Sequence, residues 1–343
     1  MHILFINRAS IPVFAYGGTE RVIWDLGKAL VDMGHRVSYL VPEGSSCPFG
    51  QVLPLDEHKD WASQIPDDVD LVHFQFNPGT ELQLAQPWLM TQHGNSQVGE
   101  TLPLNTVFVS RNHAERHGAS AHVLNGLDWI AYGPVNLSVT KDAFHFLGKA
   151  AWRVKNVQGA IDVCLQAHAK LVVLGGHRLN FQRGFRYTWS RDIQFAGMVG
   201  GQTKLDLLQG SRGLVFPVRW HEPFGLAVIE SLYFGCPVFA TPYGALPELV
   251  PPECGVLSNE GAVLAEALGK RFDREACHDR AVSLFGAQRM AQDYLQIYQQ
   301  VQQGKRLNAT APCMTTPASP LPWHKHHAGD WLPRHCWHGG CWP

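Results

Sequence analysis

Apolar residues in this chain fall into short unbroken runs, separated by stretches in which they recur every three or four positions. Residues 2–7 (HILFIN) are one such run and read as a strand buried on both faces. Val22, Ile23, Leu26, Leu30 and Met33 then return at helical spacing, Gly34 ends that helix, and residues 36–41 form a second strand. Residues 8–19, with Pro12 and the pair Gly17-Gly18, are the loop between the first strand and the helix. Strand, glycine loop, helix and strand together open an α/β domain with a parallel sheet. Further strands are expected at residues 71–76, 88–92, 106–110 and 122–124, with helices in most of the gaps. Over residues 125–138 the pattern weakens, and Gly126, Gly133 and Pro134 mark a linker.

A second α/β series starts with the strand AFHFLG from Ala143. It continues through a helix over residues 156–167, the strand KLVVLGG, a short strand at 193–195 and a helix at 204–208. The strand GLVFP, an apolar helix and the strand PVFAT complete it. The pattern divides the chain into a domain over 1–138, a second over 139–285, and an amphipathic helix within 286–303 carried by Met290, Tyr294, Ile297, Tyr298 and Val301. Two doubly wound domains of this kind place a ligand cleft between the carboxyl ends of their strands. Residues 304–343 are rich in Pro, Trp and His, lack periodicity, and read as a disordered tail.

The stretch over 217–241, PVRWHEPFGLAVIESLYFGCPVFAT, carries the most chemistry. Pro223 suits a first helical position, so a helix is expected to begin just after Glu222. Residues 224–234 are apolar almost throughout, so this helix is buried, and Glu230 lies inside it. A buried carboxylate needs donors, from the protein or from a ligand. Glu222 stands eight residues earlier, about 12 Å away at the helical rise, near the end that favours anions.

Composition narrows the classes. A length of 343 residues suits two ordinary domains, and 45% hydrophobic with 17% charged residues fits a globular protein. A net charge of −1 gives no basic field for nucleic acid. No secretory leader and no spanning segment are recognisable, and eight scattered cysteines without a compact framework point to a reducing cytoplasm. Peripheral membrane association is left open, since no basic amphipathic helix argues for it.

The segments EPFGLAVIE with GCPVFATPYGALPELV, and GGTERVIWDLGKALVDMGHRV near the start, resemble the retaining nucleotide-sugar glycosyltransferases of family four. TQHG at 91–94, NGLD at 125–128, FLGK at 146–149 and FAGMV at 195–199 are weaker matches, and together the blocks cover most of 1–303. The resemblance implies the GT-B architecture, two facing Rossmann-like domains, with the last helix crossing back to the first domain. It implies an enzyme that moves a hexose-type unit from a nucleotide diphosphate sugar to a glycan, lipid or small-molecule acceptor hydroxyl, without cofactor or metal.

Residue by residue, the resemblance puts Glu222 near the transferred sugar and Glu230 at the ribose hydroxyls. Backbone N–H groups of Phe224, Gly225 and Leu226 meet the diphosphate, with Gly17 and Gly18 opposite and Met198 and Val199 along the base. His93 takes a polar positioning role near the sugar. Lys149 and Lys155 are the cations for the departing phosphate. Lys149 stands where the family usually has Arg, and Arg153 is a second candidate for that charge.

Competing readings use the same residues. A sugar-nucleotide epimerase or phosphorylase of the same architecture is one, and a binding module without turnover is another. Gly17-Gly18 lacks the spacing of a dinucleotide site and the lysine of a P-loop, which argues against NAD and ATP enzymes. Asp68-Val69-Asp70 has a metal-binding look, but it precedes a strand and reads as a turn and strand entry. His324, His326, His327, His335, Cys336, His338 and Cys341 are capable zinc ligands whose spacings match no structural zinc pattern.

Overall fold

The computed structural model describes residues 1–12, 18–180 and 186–325. The first series of elements is β1 (His2–Ile6), α1 (Gly18–Asp32), β2 (Arg36–Val41), β3 (Gln51–Pro54), β4 (Leu71–Phe74), β5 (Trp88–Gln92), β6 (Thr106–Phe108), α2 (Arg111–Glu115) and α3 (Trp129–Tyr132). The second opens with β7 (Ala143–Leu147), α4 (Val157–Gln166), β8 (Lys170–Leu174), β9 (Leu179–Asn180), β10 (Arg186–Tyr187), β11 (Ile193–Gly197) and α5 (Gly201–Leu208). It closes with β12 (Leu214–Phe216), α6 (Leu226–Tyr233), β13 (Val238–Ala240), α7 (Leu246–Leu249), β14 (Gly255–Leu257), α8 (Gly261–Ala267), α9 (Arg274–Leu284) and α10 (Ala287–Gln302).

Two six-stranded sheets result, in the orders β3-β2-β1-β4-β5-β6 and β11-β8-β7-β12-β13-β14, and every pairing within them is parallel. In each, the chain starts at the centre, builds to one edge, then returns to build the other. The reversal leaves a crevice beside the first strand at the strands' carboxyl ends. β1 dictates its own central place, because all five residues are buried and a strand apolar on both faces must be covered on both. The expected α/β class and two-sheet organisation are therefore present. No helix among the described residues is long and apolar enough to cross a membrane.

The last helix closes the molecule on its first sheet. Tyr298 of α10 bonds through its hydroxyl to His73 Nδ1 on β4 (2.9 Å), and Tyr294 to Thr91 Oγ1 on β5 (2.8 Å). Thr91 meets His73 Nε2 at 2.7 Å, so four buried polar groups satisfy one another. Asp68 and Asp70 act at the opposite ends of the strands: Asp70 accepts from the His2 N–H at 2.7 Å, and Asp68 pairs with Arg36.

Several expectations change. Residues 75–87 and 93–105 connect strands without the anticipated helices; Pro78, Gly79, Pro87, Gly94, Gly99 and Pro103 interrupt any helical run there. β3 and β14 go unannounced in the sequence because both are short edge strands with few apolar residues, and His122 forms only an isolated bridge to Phe108. The helix expected just after Glu222 begins instead at Leu226. Glu222 is held in a bridge to Gly244, and Gly225, at φ 111°, turns the chain before the helix can start.

The tail is the largest correction. Residues 305–325 form a strap over both domains, and residues 326–343, with four of the histidines and both distal cysteines discussed above, lie outside the described residues. On the first domain, Asn308 is buried and fully bonded. Its Nδ2 donates to the Leu104 and Thr106 carbonyls (3.0 and 2.8 Å), and its Oδ1 accepts from Ser120 and Ala121 N–H (3.2 and 3.3 Å). Leu102 N–H donates to the Pro312 carbonyl, Cys313 N–H to that of His117, and Met314 is buried. On the second domain, His221 N–H donates to the Ala318 carbonyl, Leu321 N–H to that of Arg219, and the Tyr243 hydroxyl to that of Pro322. Such a strap needs no periodicity, because it borrows partners from loops already folded.

Asn308→Ala is expected to lower the unfolding free energy by about 2 kcal/mol, since it strands buried backbone groups. Denaturant titration checks this, and an unchanged midpoint would show the strap to be energetically idle.

Candidate functional site

The carboxyl ends of both sheets open onto one cleft of about 650 Å³. From the first domain it is lined by Gly18, Thr19, Glu20, Arg21 and Val22 after β1, by His93 and Gly94 after β5, and by Asn125 and Tyr132. From the second come Gly148, Lys149, Trp152 and Lys155 after β7, Val199, Gly200, Gly201 and Lys204 around the start of α5, and Trp220, Glu222 and the residues from Pro223 to Leu226 with Glu230.

The two sides approach closely at Gly18. A Cβ there would stand 3.1 Å from Cδ1 of Leu226, the first residue of α6, so a side chain would oblige Leu226 to shift by a few tenths of an ångström. Gly17 lies outside the described residues.

Glu222 is buried, and its Oε2 takes two donors, Lys155 Nζ at 2.7 Å and Trp220 Nε1 at 2.7 Å. Lys155 also lies over the rings of Trp220 (4.8 Å) and Phe216 (5.1 Å). The ammonium is thus boxed by one carboxylate and two aromatic faces. Lys149 lines the same cleft, 5.3 Å from the Trp152 ring centre.

Glu230, on the buried face of α6, has three partners from three elements. Arg21 Nη1 donates at 2.7 Å from α1, Tyr132 Oη at 2.5 Å from α3, and Lys204 Nζ at 2.5 Å from α5. Burial alone would raise this carboxyl's pKa, but Arg21 and Lys204 bring it down to about 2. Burial and the neighbouring Glu230 raise the Tyr132 phenol well above its ordinary range, so it keeps its proton and donates. The sequence reading missed all three partners. Arg21 follows Gly17-Gly18 by three residues and so falls on the first turn of α1; its adjacency to the glycine loop was the available signal.

His93 is half-buried, and burial lowers its pKa to about 4. Its Nε2 meets Gln75 Oε1 at 2.8 Å; a carboxamide oxygen only accepts, so the ring proton sits on Nε2 and Nδ1 carries the lone pair. Two predicted donor contacts are not brought to the cleft. Arg153 is exposed and Met198 is 46% exposed, and neither is among the lining residues, whereas Val199 is. Arg153 opens a 3-10 turn whose third residue, Lys155, takes the inward position. Among the described residues no group of three or more His, Cys, Asp or Glu side chains is placed to hold a metal ion.

Residues 139–273 match the family described as Glycosyl transferases group 1. The chain is 24% identical to the O-antigen chain mannosyltransferase C of Escherichia coli, an alignment covering 87% of this chain and 98% of that protein. Among solved structures it superposes on AviGT4, a glycosyltransferase involved in avilamycin A biosynthesis, with TM-score 0.70, 21% identity, and coverage of 88% of this chain and 98% of that one. It also superposes on Anabaena HepE in complex with UDP and glucose, with TM-score 0.59, 14% identity, and coverage of 86% and 98%. Two parallel six-stranded sheets around a shared cleft give the chain the GT-B architecture of these neighbours, and with the group 1 match over its second domain and the mannosyltransferase relative they mark a glycosyltransferase.

Proposed function

We propose that this glycosyltransferase moves a hexose-type sugar from a nucleotide diphosphate sugar to an acceptor hydroxyl with retention of anomeric configuration. The observation that carries the reading is one cavity, shared by both domains, that holds two lysines near the start of α6 and an ionised carboxylate inside it. In this reading the diphosphate lies against the N–H groups of Phe224, Gly225 and Leu226, with Lys149 and Lys155 at its distal phosphate. Glu230 receives the ribose, and Val199 lies beside the base. Glu222 and His93 face the transferred sugar.

Transfer breaks the bond between the anomeric carbon and the distal phosphate oxygen. Positive charge develops on the sugar ring while negative charge grows on the leaving diphosphate. The lysines answer the second charge without a metal or cofactor. His93, neutral and weakly basic with a pKa near 4, suits hydrogen bonding to a sugar hydroxyl through Nδ1 better than proton abstraction. Deprotonation of the acceptor is assigned to the leaving phosphate on the same face.

The named mannosyltransferase and the UDP and glucose held by HepE make mannosyl and glucosyl nucleotides the first donors to try. The acceptor is a glycan, a lipid or a small molecule, selected by loops of the first domain. Free thiols at Cys47, Cys164, Cys236, Cys254, Cys277 and Cys313 support a cytoplasmic setting.

With an active donor and acceptor pair, NMR of the product is expected to show the donor's anomeric configuration; an inverted product would refute the retaining reading. The rate is expected to survive a chelator. Loss of activity restored by Mn²⁺ would contradict metal independence. Lys155→Ala is expected to lower kcat by about 10²-fold or more, because it removes a charge from the leaving group and leaves Glu222 buried without its cation. Unchanged turnover would remove Lys155 from the site.

A further inference from the structure

All three donors to Glu230 converge on one oxygen, Oε1. Oε2 receives no hydrogen bond from the described residues, yet it is not among the buried atoms left without a partner, and Glu230 lines the cleft. Among the described residues the carboxylate is therefore held through Oε1 alone, on the wall of the cleft. Two of its holders, Arg21 and Tyr132, belong to the first-domain side of the cleft, whereas Lys204 belongs to the second.

We infer that Arg21, Tyr132 and Lys204 are positioning residues for donor recognition: by fixing Oε1 of Glu230 they present Oε2 to the ribose hydroxyls of the nucleotide. The inference rests on the reading that Glu230 receives the ribose. Tyr132 supplies direction, and the two cations supply charge. Because Arg21 stands on the domain opposite α6, the ribose site is complete only while the two domains are closed on each other. Donor recognition is thereby tied to closure.

The charge has a consequence for pH. The groups facing Glu230 and its holders are Arg21 and Asp25 from α1, Tyr132 from α3, Lys204 from α5 and His145 from β7. Burial pushes Asp25 up to about 6 and His145 down to about 3. With both cations present Glu230 is ionised throughout the neutral range. Removing one leaves burial less opposed, so the carboxyl's pKa rises. Its ionised form, the one able to accept from two hydroxyls, is then recovered only as the pH increases.

The test compares binding of uridine and guanosine diphosphates with their 2′-deoxy forms by calorimetry, from about pH 7 to 9, above the midpoint of Asp25. Wild type is expected to prefer the ribose forms about tenfold or more, independent of pH, as for a hydrogen bond to a charged acceptor. Arg21→Met and Lys204→Met are expected to lose most of that preference near pH 7 and to recover it as pH rises. Arg21→Lys and Lys204→Arg are expected to retain it. Affinity for the deoxy forms, held within a few-fold, reports that each variant is folded.

A preference kept in both methionine variants with no pH dependence would overturn the inference. So would equal loss of ribose and deoxy binding, which marks a merely structural role. Absence of any ribose preference in wild type would instead refute the assignment of Glu230 to the ribose, and this inference with it.

Discussion

A carboxylate on the buried face of an apolar helix stays charged only if cations come to it, and Glu230 makes that demand at the centre of this molecule. The alternatives open to it are protonation or a desolvation cost of several kcal/mol. Two cations and a phenol meet it, each from a different element, so α1, α3 and α5 are all tied to one atom of α6. Glu222 repeats the arrangement on a smaller scale with Lys155 and Trp220. Together the two carboxylates fix the relative placement of the segments that later meet the donor. Binding and folding thus use the same charges.

The sheets explain why these segments are available. In both domains the first strand is central, and the chain leaves it at its carboxyl end, towards α1 after β1 and through residues 148–156 after β7. One loop leads to Arg21 and the other carries Lys149 and Lys155. Facing the two sheets brings both loops to α6 from opposite sides. The repeated topology is therefore a way of aiming two connections at one helix.

Much of this was legible in the residues. The buried strands, α1 and α10 follow from hydrophobic period, and the paired glutamates stood out because an acid inside an apolar helix has no bland surface explanation. Their partners did not stand out. Arg21 and Lys204 sit on helices whose outer faces are polar in any case, and Tyr132 lies in a stretch read as a linker, so only the packing of three elements singles them out. The inward choice of Lys155 over Arg153 is set by a single 3-10 turn. The strap was misread because isolated anchors such as Asn308 and Met314 leave no period in the sequence.

The strap also sets a limit in length. Met314 is fastened to the first domain through Gly99 and Arg116, and Ala318 to the second through His221, with Thr315, Thr316 and Pro317 between them. Four Cα–Cα steps can reach about 14 Å at most when fully drawn out. At this rim the two fastening points can stand no farther apart than that before one set lets go. The neighbour of Glu222 is itself a fastening point, so a wide excursion of the domains would tug directly on the residue placed beside the transferred sugar.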